Sequence, residues 1–423
     1  MESSAWKYVP GNEYCVKVTD GTHDSPKQAE CGKPLITSKH IKGDVIDFDT
    51  AYLISEHDFN EINKRSKVDQ WDVIISMIGA YCGFCFIESN EEIDYAVKNV
   101  GLFKAGTEVN AKWLYYYLNS PIGRAHLDAV KSGSTQPYIA LGALRNLPIL
   151  VPKKDEVKEK IVAILDAIDT KTRVNNRINA ELEVMAKTLY DYWFVQFDFP
   201  DDSPQGQGKP YKTSGGKMVY NPTIKREIPE GWEVAPLSSI TRVSNESINP
   251  ADYPEKLFKH FSIPVFDATN TFGVERGDTI GSNKFTVEDT DLLVSKLNPW
   301  FNRVVYAMAE PEQICSTEFV VWRCPNASIK NFMYMIATSP QFIAYCTQSA
   351  TGTSNSHKRV NPNVMMRFDQ PFNLKVAEKL GQHLEPILKQ LIVNQRENTK
   401  LASLRDWLLP MLMNGQVTVG EAS

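Results

Sequence analysis

Two short polar stretches carry the residue types best suited to chemistry with a nucleic acid. Lys131-Ser-Gly-Ser-Thr-Gln-Pro-Tyr138 offers hydroxyls at Ser134 and Thr135, one cation, one carboxamide and one ring. Hydroxyls and backbone amides in such a small-residue loop reach phosphate oxygens; Gln136 has the geometry to pair with adenine, and Lys131 with phosphate or guanine. Thr351-Gly-Thr-Ser-Asn-Ser-His-Lys-Arg359 is the related stretch. There Thr353 and Ser354 supply hydroxyls, Asn355 suits adenine, His357 and Lys358 suit phosphate, and Arg359 suits guanine. The plainer alternative for each residue is an ordinary surface loop between a helix and a strand.

Signals for catalysis are weaker. Asn298-Pro-Trp-Phe301 approaches the Asn/Asp-Pro-Pro-aromatic loop of an adenine methyltransferase, but lacks the second proline. No glycine-rich cofactor turn lies in a strand–helix context and no P-loop occurs, so methyl transfer and ATP hydrolysis are not expected. A turn closing a strand is the better reading of 298–301. Asp201-Asp202 sits among Pro and Gly without a nuclease-like lysine and reads as a solvated turn. Cys82-Gly-Phe-Cys85 has metal or redox spacing, yet no second such pair or histidine set accompanies it, so buried small hydrophobes are expected. The expectation is therefore no catalytic residue, no metal and no cofactor on this chain.

Composition sets the outer limits. The chain has 423 residues, 42% hydrophobic and 23% charged, with a formal charge of −5. These are the proportions of an ordinary globular protein with room for two or three domains. No run approaches the roughly 20 apolar residues of a membrane span, and the start lacks signal-peptide character, which together predict a cytoplasmic protein without membrane contact. Neither candidate globular region is basic overall, so binding to nucleic acid would rest on local cations or on partner subunits.

The elements that must position the loops come in two copies. Asp72-Val-Ile-Ile-Ser76 matches Asp291-Leu-Leu-Val-Ser295, and Ser120-Pro121 matches Ser339-Pro340. Gly133-Ser-Thr135 matches Gly352-Thr-Ser354, and Val174-Asn-x-Arg-x-Asn179-x-x-Leu182 matches Val393-Asn-x-Arg-x-Asn398-x-x-Leu401. Each pair is 219 positions apart. So long a period excludes a solenoid unit and indicates a duplicated domain-plus-helix module, hence a pseudo-two-fold molecule suited to a target with two halves.

Within each copy, strand-like runs such as 73–78, 95–103, 292–297 and 318–323 mix with a helix over 111–118, which predicts a mixed α/β fold. The division expected is a globular part over 1–152, a long helix over 153–198, a connector over 199–232, a second globular part over 233–374, a second long helix over 375–414 and a tail over 415–423. In the first helix Ile161, Ile164, Ile168, Ile178, Leu182, Met185 and Leu189 recur in steps of three and four, with Lys171 and Asn175 polar at the centre. In the second, Leu380, Leu384, Ile387, Leu391, Leu401 and Leu408 do so around Asn394 and Asn398. These are coiled-coil seams with polar centres, and an antiparallel pairing of the two helices is the economical arrangement. Pro386 predicts a break or kink near Glu385-Pro386, with the main helix starting there.

The repeating segments also carry a resemblance. Leu147-Pro-Ile-Leu-Val-Pro152, Ile161-Val-Ala-Ile-Leu-Asp-Ala-Ile-Asp169, Asn175-Asn-Arg-Ile-Asn179 and Leu182-Glu-Val-Met-Ala186 resemble the central region of type I restriction–modification specificity (S) subunits. Trp193-Phe-Val-Gln-Phe-Asp198, Gly208–Val219 and Glu227-Ile-Pro-Glu-Gly-Trp-Glu233 look like the connector of a subgroup, and Leu404–Gly415 like its ending. One departure is the opening: Trp232-Glu-Val-Ala-Pro-Leu237 is family-like, whereas Trp6-Lys-Tyr-Val9 has no matching leucine, leaving the first strand in doubt. The resemblance implies two target-recognition domains, each reading half of a split double-stranded DNA site. It implies long helices that space them and dock two methyltransferase (M) subunits, with restriction (R) subunits joining through those. S-adenosylmethionine, ATP and Mg are then expected on the partners. It adds Gly21, Thr22 and His23 as DNA-contact candidates; on physics alone their turn is a capping turn. It makes Ile161, Ile168, Asn175, Arg177, Ile178, Leu182, Leu189, Ile387, Leu391, Asn394, Arg396, Leu401 and Leu408 the helix-pairing and docking residues. The competing reading is a protein–protein adaptor of a defence complex that uses the same helices without reading DNA.

Overall fold

The computed structural model describes residues 5–43, 45–352 and 357–417. They form two compact units, one of 1–171 with 401–423 and one of 172–400.

Both units are built on one plan. Asp72–Ser76 and Asp291–Ser295 are fully buried strands, each at an inner position of a four-stranded antiparallel sheet of the same order. In the first unit the order is Lys17–Asp20, Val100–Lys104, Asp72–Ser76, Cys85–Ile87; in the second it is Arg242–Ser244, Phe319–Arg323, Asp291–Ser295, Val304–Tyr306. Apolar residues on both faces of these strands explain their burial. A cation from the neighbouring strand closes one end of each sheet. Lys104 Nζ lies 2.5 Å from Asp72 and 2.8 Å from Asp69, and Arg323 reaches Asp291 at 2.9 Å and Glu288 at 2.8 Å. Asp291 is fully buried, and such a charge persists only when paired and hydrogen-bonded.

A second sheet is where the copies diverge. It has three strands in the first unit and five in the second, each containing one parallel pair, Lys33–Thr37 with Ala96–Lys98 and Leu257–Phe261 with Gln313–Cys315. The opening strand in doubt is present: Trp6–Pro10 pairs antiparallel with Pro148–Pro152, as Glu233–Pro236 pairs with Asp369–Phe372. Helices Glu108–Asn119 and Ala327–Ala337 cover the main sheets, with Thr107 and Asn326 capping them.

The connector is a folded part of the second unit rather than a linker. Two small hairpins, Pro200–Asp201 with Lys209–Pro210 and Met218–Asn221 with Arg226–Pro229, bracket a stack of Phe194, Phe199, Tyr211 and Trp232. Asp198 accepts from the Thr213 amide and hydroxyl, tying the stretch to the end of the first long helix.

That helix runs Asp155–Tyr190 and continues as a π-helical turn over Asp191–Val195. The second runs unbroken from Leu374 to Met413. The expected start at Pro386 is therefore wrong. Proline costs about 3 kcal/mol inside a helix. Beginning there would release the fully buried Leu380 and Leu384, each worth roughly 1.5–3 kcal/mol. Pro386 itself faces solvent, so the carbonyl deprived of its amide partner, at exposed Gln382, meets water. One turn earlier, Asn331 donates to the Gly381 carbonyl at 2.9 Å and pins the helix.

Within the second unit the long helices lie antiparallel. Asn175 Nδ2 donates to Asn398 Oδ1 at 2.9 Å and to Glu397 at 2.8 Å. Asn394 Nδ2 donates to Asn179 Oδ1 at 2.9 Å and Asn179 Nδ2 to the Leu391 carbonyl at 3.4 Å. Rising numbers on one helix meet falling numbers on the other. Within the first unit Asp169 lies 3.5 Å from Arg405, and Ile161 and Leu165 share a core with Leu409, Leu412 and Met413.

The inward face differs from the expected seam on one side. Ile161, Ile168, Asn175, Leu182 and Leu189 point inward as expected, and Leu391 and Asn394 are buried opposite. The companion row, however, is Leu165, Asn179 and Ala186, not Ile164, Ile178 and Met185. Ile178 and Met185 are exposed. Asparagine is inward because the facing helix supplies Asn394 to satisfy it. Arg177 is exposed, whereas its repeat counterpart Arg396 pairs with Glu310 and lies 5.6 Å from the Phe272 ring. Ile387 is half-buried against the second unit's core, and Leu401 and Leu408 are half-buried.

Candidate nucleic-acid interface

The same loop-on-turn device is built in each unit. In the first, helix Pro121–Val130 ends at Lys131, and the chain folds back on itself. Ser132 and Tyr138 exchange both backbone hydrogen bonds, at 2.9 and 2.8 Å, so the residues between them form a closed tip. Gly133 takes φ +87°, and a side chain there would meet the Gln136 carbonyl at 2.5 Å. Ser134, Thr135, Gln136 and Tyr138 are all exposed. The loop is moored to the turn that follows strand Asp72–Ser76 by the Gly79 amide, which donates to the Pro137 carbonyl at 2.9 Å.

In the second unit helix Pro340–Ser349 leads into the equivalent loop. Thr351 and Arg359 exchange the pair of backbone bonds, at 2.9 and 2.8 Å. Seven residues thus separate this bonded pair, against five between Ser132 and Tyr138. Arg359, not His357, takes the place held by Tyr138, and the offset of the repeat shifts by two locally before the long helices restore it. The mooring recurs: the Asn298 amide donates to the Lys358 carbonyl at 2.7 Å, and the Lys358 amide to Asn298 Oδ1 at 3.0 Å. Asn298 adopts the left-handed conformation, φ 48°, as Gly79 does at 84°. Thr353, Ser354 and Asn355 lie outside the described residues. His357 is exposed, Lys358 half-buried and Arg359 exposed.

Two cations of these loops are held by carboxylates. Lys131 Nζ lies 2.7 Å from Asp128. Arg359 makes a two-bond contact with Glu318, at 2.9 and 3.0 Å, and this carboxylate raises the guanidinium's already high pKa further. The pairing restricts the guanidinium to one plane while leaving donors for a second acceptor, since arginine carries five.

The turn of Gly21, Thr22 and His23 stands apart from these loops in the chain's hydrogen-bonding. Gly21 passes so close to strand Ala96–Lys98 that a Cβ would meet the Val97 carbonyl at 2.5 Å. Thr22 is buried and its amide donates to that carbonyl. His23 is exposed and sits 2.9 Å from both Asn99 Oδ1 and the buried Asp20 carboxylate. Arg65 also pairs with Asp20.

Two motifs weighed for chemistry serve the fold. The side chain of Asn298 is spent closing the turn, and Pro299–Phe301 is a 3-10 turn between strands. Cys82 and Cys85 are buried, and desolvation raises both thiol pKa values, Cys85 to about 11. Among the described residues no group of three or more His, Cys, Asp or Glu is placed to hold a metal ion, and no helix is long and apolar enough to cross a membrane.

Sequence reasoning read 298–301 as a turn closing a strand, as the structure has it, but placed neither hairpin turn beside a loop. Tyr81, Phe84 and Arg124 of the first unit, and Trp300 and Phe301 of the second, stand beside the loops. The available signal was the repeat, which places Trp300 on Tyr81.

Comparisons with known proteins agree with this architecture. The family described as type I restriction modification DNA specificity domain matches residues 24–184. The type I restriction enzyme MjaIX specificity subunit of Methanocaldococcus jannaschii is 24% identical over 329 residues, covering 74% of this chain and 70% of its own length. The HindI specificity subunit of Haemophilus influenzae is 20% identical over 358 residues, covering 68% and 73%. The crystal structure of the type I restriction–modification S subunit from M. genitalium has the same fold, with a TM-score of 0.62 at 12% identity, over 99% of this chain and 97% of that one. Residues 24–184 thus match the type I restriction modification DNA specificity domain, and over about 70% of its length the chain is similar to specificity subunits of type I restriction–modification systems.

Proposed function

We propose that this chain reads DNA for a type I restriction–modification complex and performs no chemistry itself. Each globular part recognises one half of a bipartite double-stranded site. The long helices set the spacing of the half-sites and dock two methyltransferase subunits, through which restriction subunits join. One observation carries this reading: in both units a polar stretch is moored to the corresponding hairpin turn by the same backbone bond, Gly79 to Pro137 and Asn298 to Lys358, while its residues differ. A repeated frame with divergent tips suits two readers of two different sequences. The exposed apolar residues Val174, Ile178, Met185 and Val393 on the paired helices support docking there, because large apolar side chains left outside a core favour a protein partner.

The test is the methylated motif of the host genome. Deleting this protein should abolish methylation at one split motif, and Arg359→Ala should change the bases accepted in one half only. Each of Lys358→Ala and Arg359→Ala that removes a phosphate contact should lower the slope of log affinity against log salt by about 1. A motif that survives deletion unchanged would refute the proposal.

A further inference from the structure

The hairpin turns that moor the loops also carry exposed ring pairs. In the first unit the turn between strands Asp72–Ser76 and Cys85–Ile87 leaves Tyr81 and Phe84 each 36% exposed, with ring centroids 5.6 Å apart. Arg124, from the helix that leads into the loop, donates to the Gly83 carbonyl at 2.9 Å and lies 5.7 Å from the Phe84 ring. In the second unit the turn between Asp291–Ser295 and Val304–Tyr306 leaves Trp300 38% and Phe301 57% exposed, centroids 6.0 Å apart. Arg303 lies 4.5 Å from the Phe301 ring and is held by Asp267 at 2.5 and 2.8 Å. The fold does not need these rings. The sheets beneath them are already closed by Val73, Ile75, Leu292 and Val294, all buried in their units' cores.

We infer that the ring pair at each hairpin tip contacts duplex DNA as an apolar wedge against base edges, beside the polar loop moored to the same turn. Three observations name the occupant. The backbone bonds from Gly79 to Pro137 and from Asn298 to Lys358 tie each loop to the turn that carries the rings. A cation stands at one ring of each pair, Arg124 at Phe84 and Arg303 at Phe301, as suits an apolar contact inside a groove walled by phosphates. The repeat places Trp300 on Tyr81, while the second ring stands at a different position in each turn, Phe84 against Phe301, so each tip presents its own ring pair to its own half-site. Aromatic groups make such contacts with thymine methyls and with opened base steps.

The inference rests on the DNA-specificity reading, and its test separates the two. The full chain in complex with its methyltransferase partner is used to select from a library of randomised duplexes. Trp300→Ala with Phe301→Ala should lower affinity on the order of tenfold. It should also relax base preference in one half of the selected motif, with the salt slope unchanged because no charge is removed. Trp300→Phe, which keeps a ring, should stay within about threefold of the parent. Trp300 is 38% and Phe301 57% exposed, so a thermal melt of each variant separates lost packing from lost DNA contact; should the double variant fail to fold, Phe301→Ser alone carries the same readout. If the double variant keeps affinity and motif while Arg359→Ala changes the motif, the wedge is refuted and the DNA reading stands. If the variant loses its methyltransferase partner instead of its base preference, the tips are a protein-docking surface and the inference also falls. If the parent complex selects no motif, both readings fall.

Discussion

Replacing Asn394 by leucine should destabilise the second unit, and replacing Asn179 as well should restore it. Asn394 and Asn179 are 3% and 7% exposed, and their carboxamides share a 2.9 Å hydrogen bond between the long helices. Asn394 Oδ1 also accepts from Gln390 at 2.7 Å, and Asn179 donates weakly to the Leu391 carbonyl at 3.4 Å. Asn394→Leu leaves Asn179 Oδ1 buried without its donor. An unsatisfied buried polar group costs about 1–3 kcal/mol, whereas the intact bond contributes only about 0.5–1.5 kcal/mol net. Asn179→Leu strands the Asn394 amide in the same way and should cost a similar amount. With both positions leucine no polar group is stranded, and burial of the two side chains adds roughly 1.5–3 kcal/mol each before packing strain. The double variant should therefore equal or exceed the parent in stability, giving a coupling of at least about 2 kcal/mol in a double-mutant cycle. Urea unfolding of the four proteins, followed by helix signal, measures it. Additive losses in the double variant would show that the two asparagines are not paired as described. The same variant should lose register rather than stability, because a buried asparagine penalises misaligned helices. A more stable double variant with a broadened preference for the half-site spacer is the combined expectation.

Two further predictions concern the second unit. Lys330 is buried, donates to the carbonyls of Asp289 and Ala307, and is pushed down from its ordinary 10.5 to about 7 by desolvation. Between those values the unfolded chain holds a proton that the folded chain lacks, so stability should rise with pH. The gain is about 2 kcal/mol from pH 7 to 9, with the full cost present below pH 7. Lys330→Met should flatten that slope in urea titrations, and an unchanged slope would refute the assignment. Gly381→Ala places a Cβ 1.9 Å from the Ser328 carbonyl, a backbone atom that cannot give way, and should cost about 1–3 kcal/mol despite alanine's higher helix propensity. Gly142→Ala, with nothing within 4 Å, should be neutral or stabilising by up to about 1 kcal/mol, and thermal melts of the pair should move in opposite directions.

Much of the frame was legible in the chain, for local reasons. Asp72–Ser76 and Asp291–Ser295 announce buried strands by composition, and their equal spacing from later matches announces duplication. The inner row of the long helix through Ile161, Ile168, Asn175 and Leu182 follows from periodicity alone. The companion row did not. Positions three and four residues on are both neighbours of that row, and apolarity favoured Ile178 and Met185 over Asn179 and Ala186. The choice belongs to the facing helix, more than two hundred residues away, which presents Asn394. Pro386 misled for the same reason. Its local cost is real, but Leu380 and Leu384 bury against residues that a window around the proline does not contain.

The candidate interface divides along the same line. The polar loops could be picked out by residue type, and Arg359 by its fit to guanine. Their partnership with Tyr81, Phe84, Trp300 and Phe301 could not, because strands and a helix separate loop from turn in the chain and only sheet pairing brings them together. The sequence by itself determined that the module is duplicated, which elements it contains and which residues are chemically able to meet DNA. Tertiary structure decided which helix face turns inward, how a local shift of two puts Arg359 where the first unit has Tyr138, and that each loop is moored to a turn carrying exposed rings. Propensity and periodicity act within a few turns of chain, whereas burial and hydrogen-bond satisfaction are settled between segments that meet only on folding.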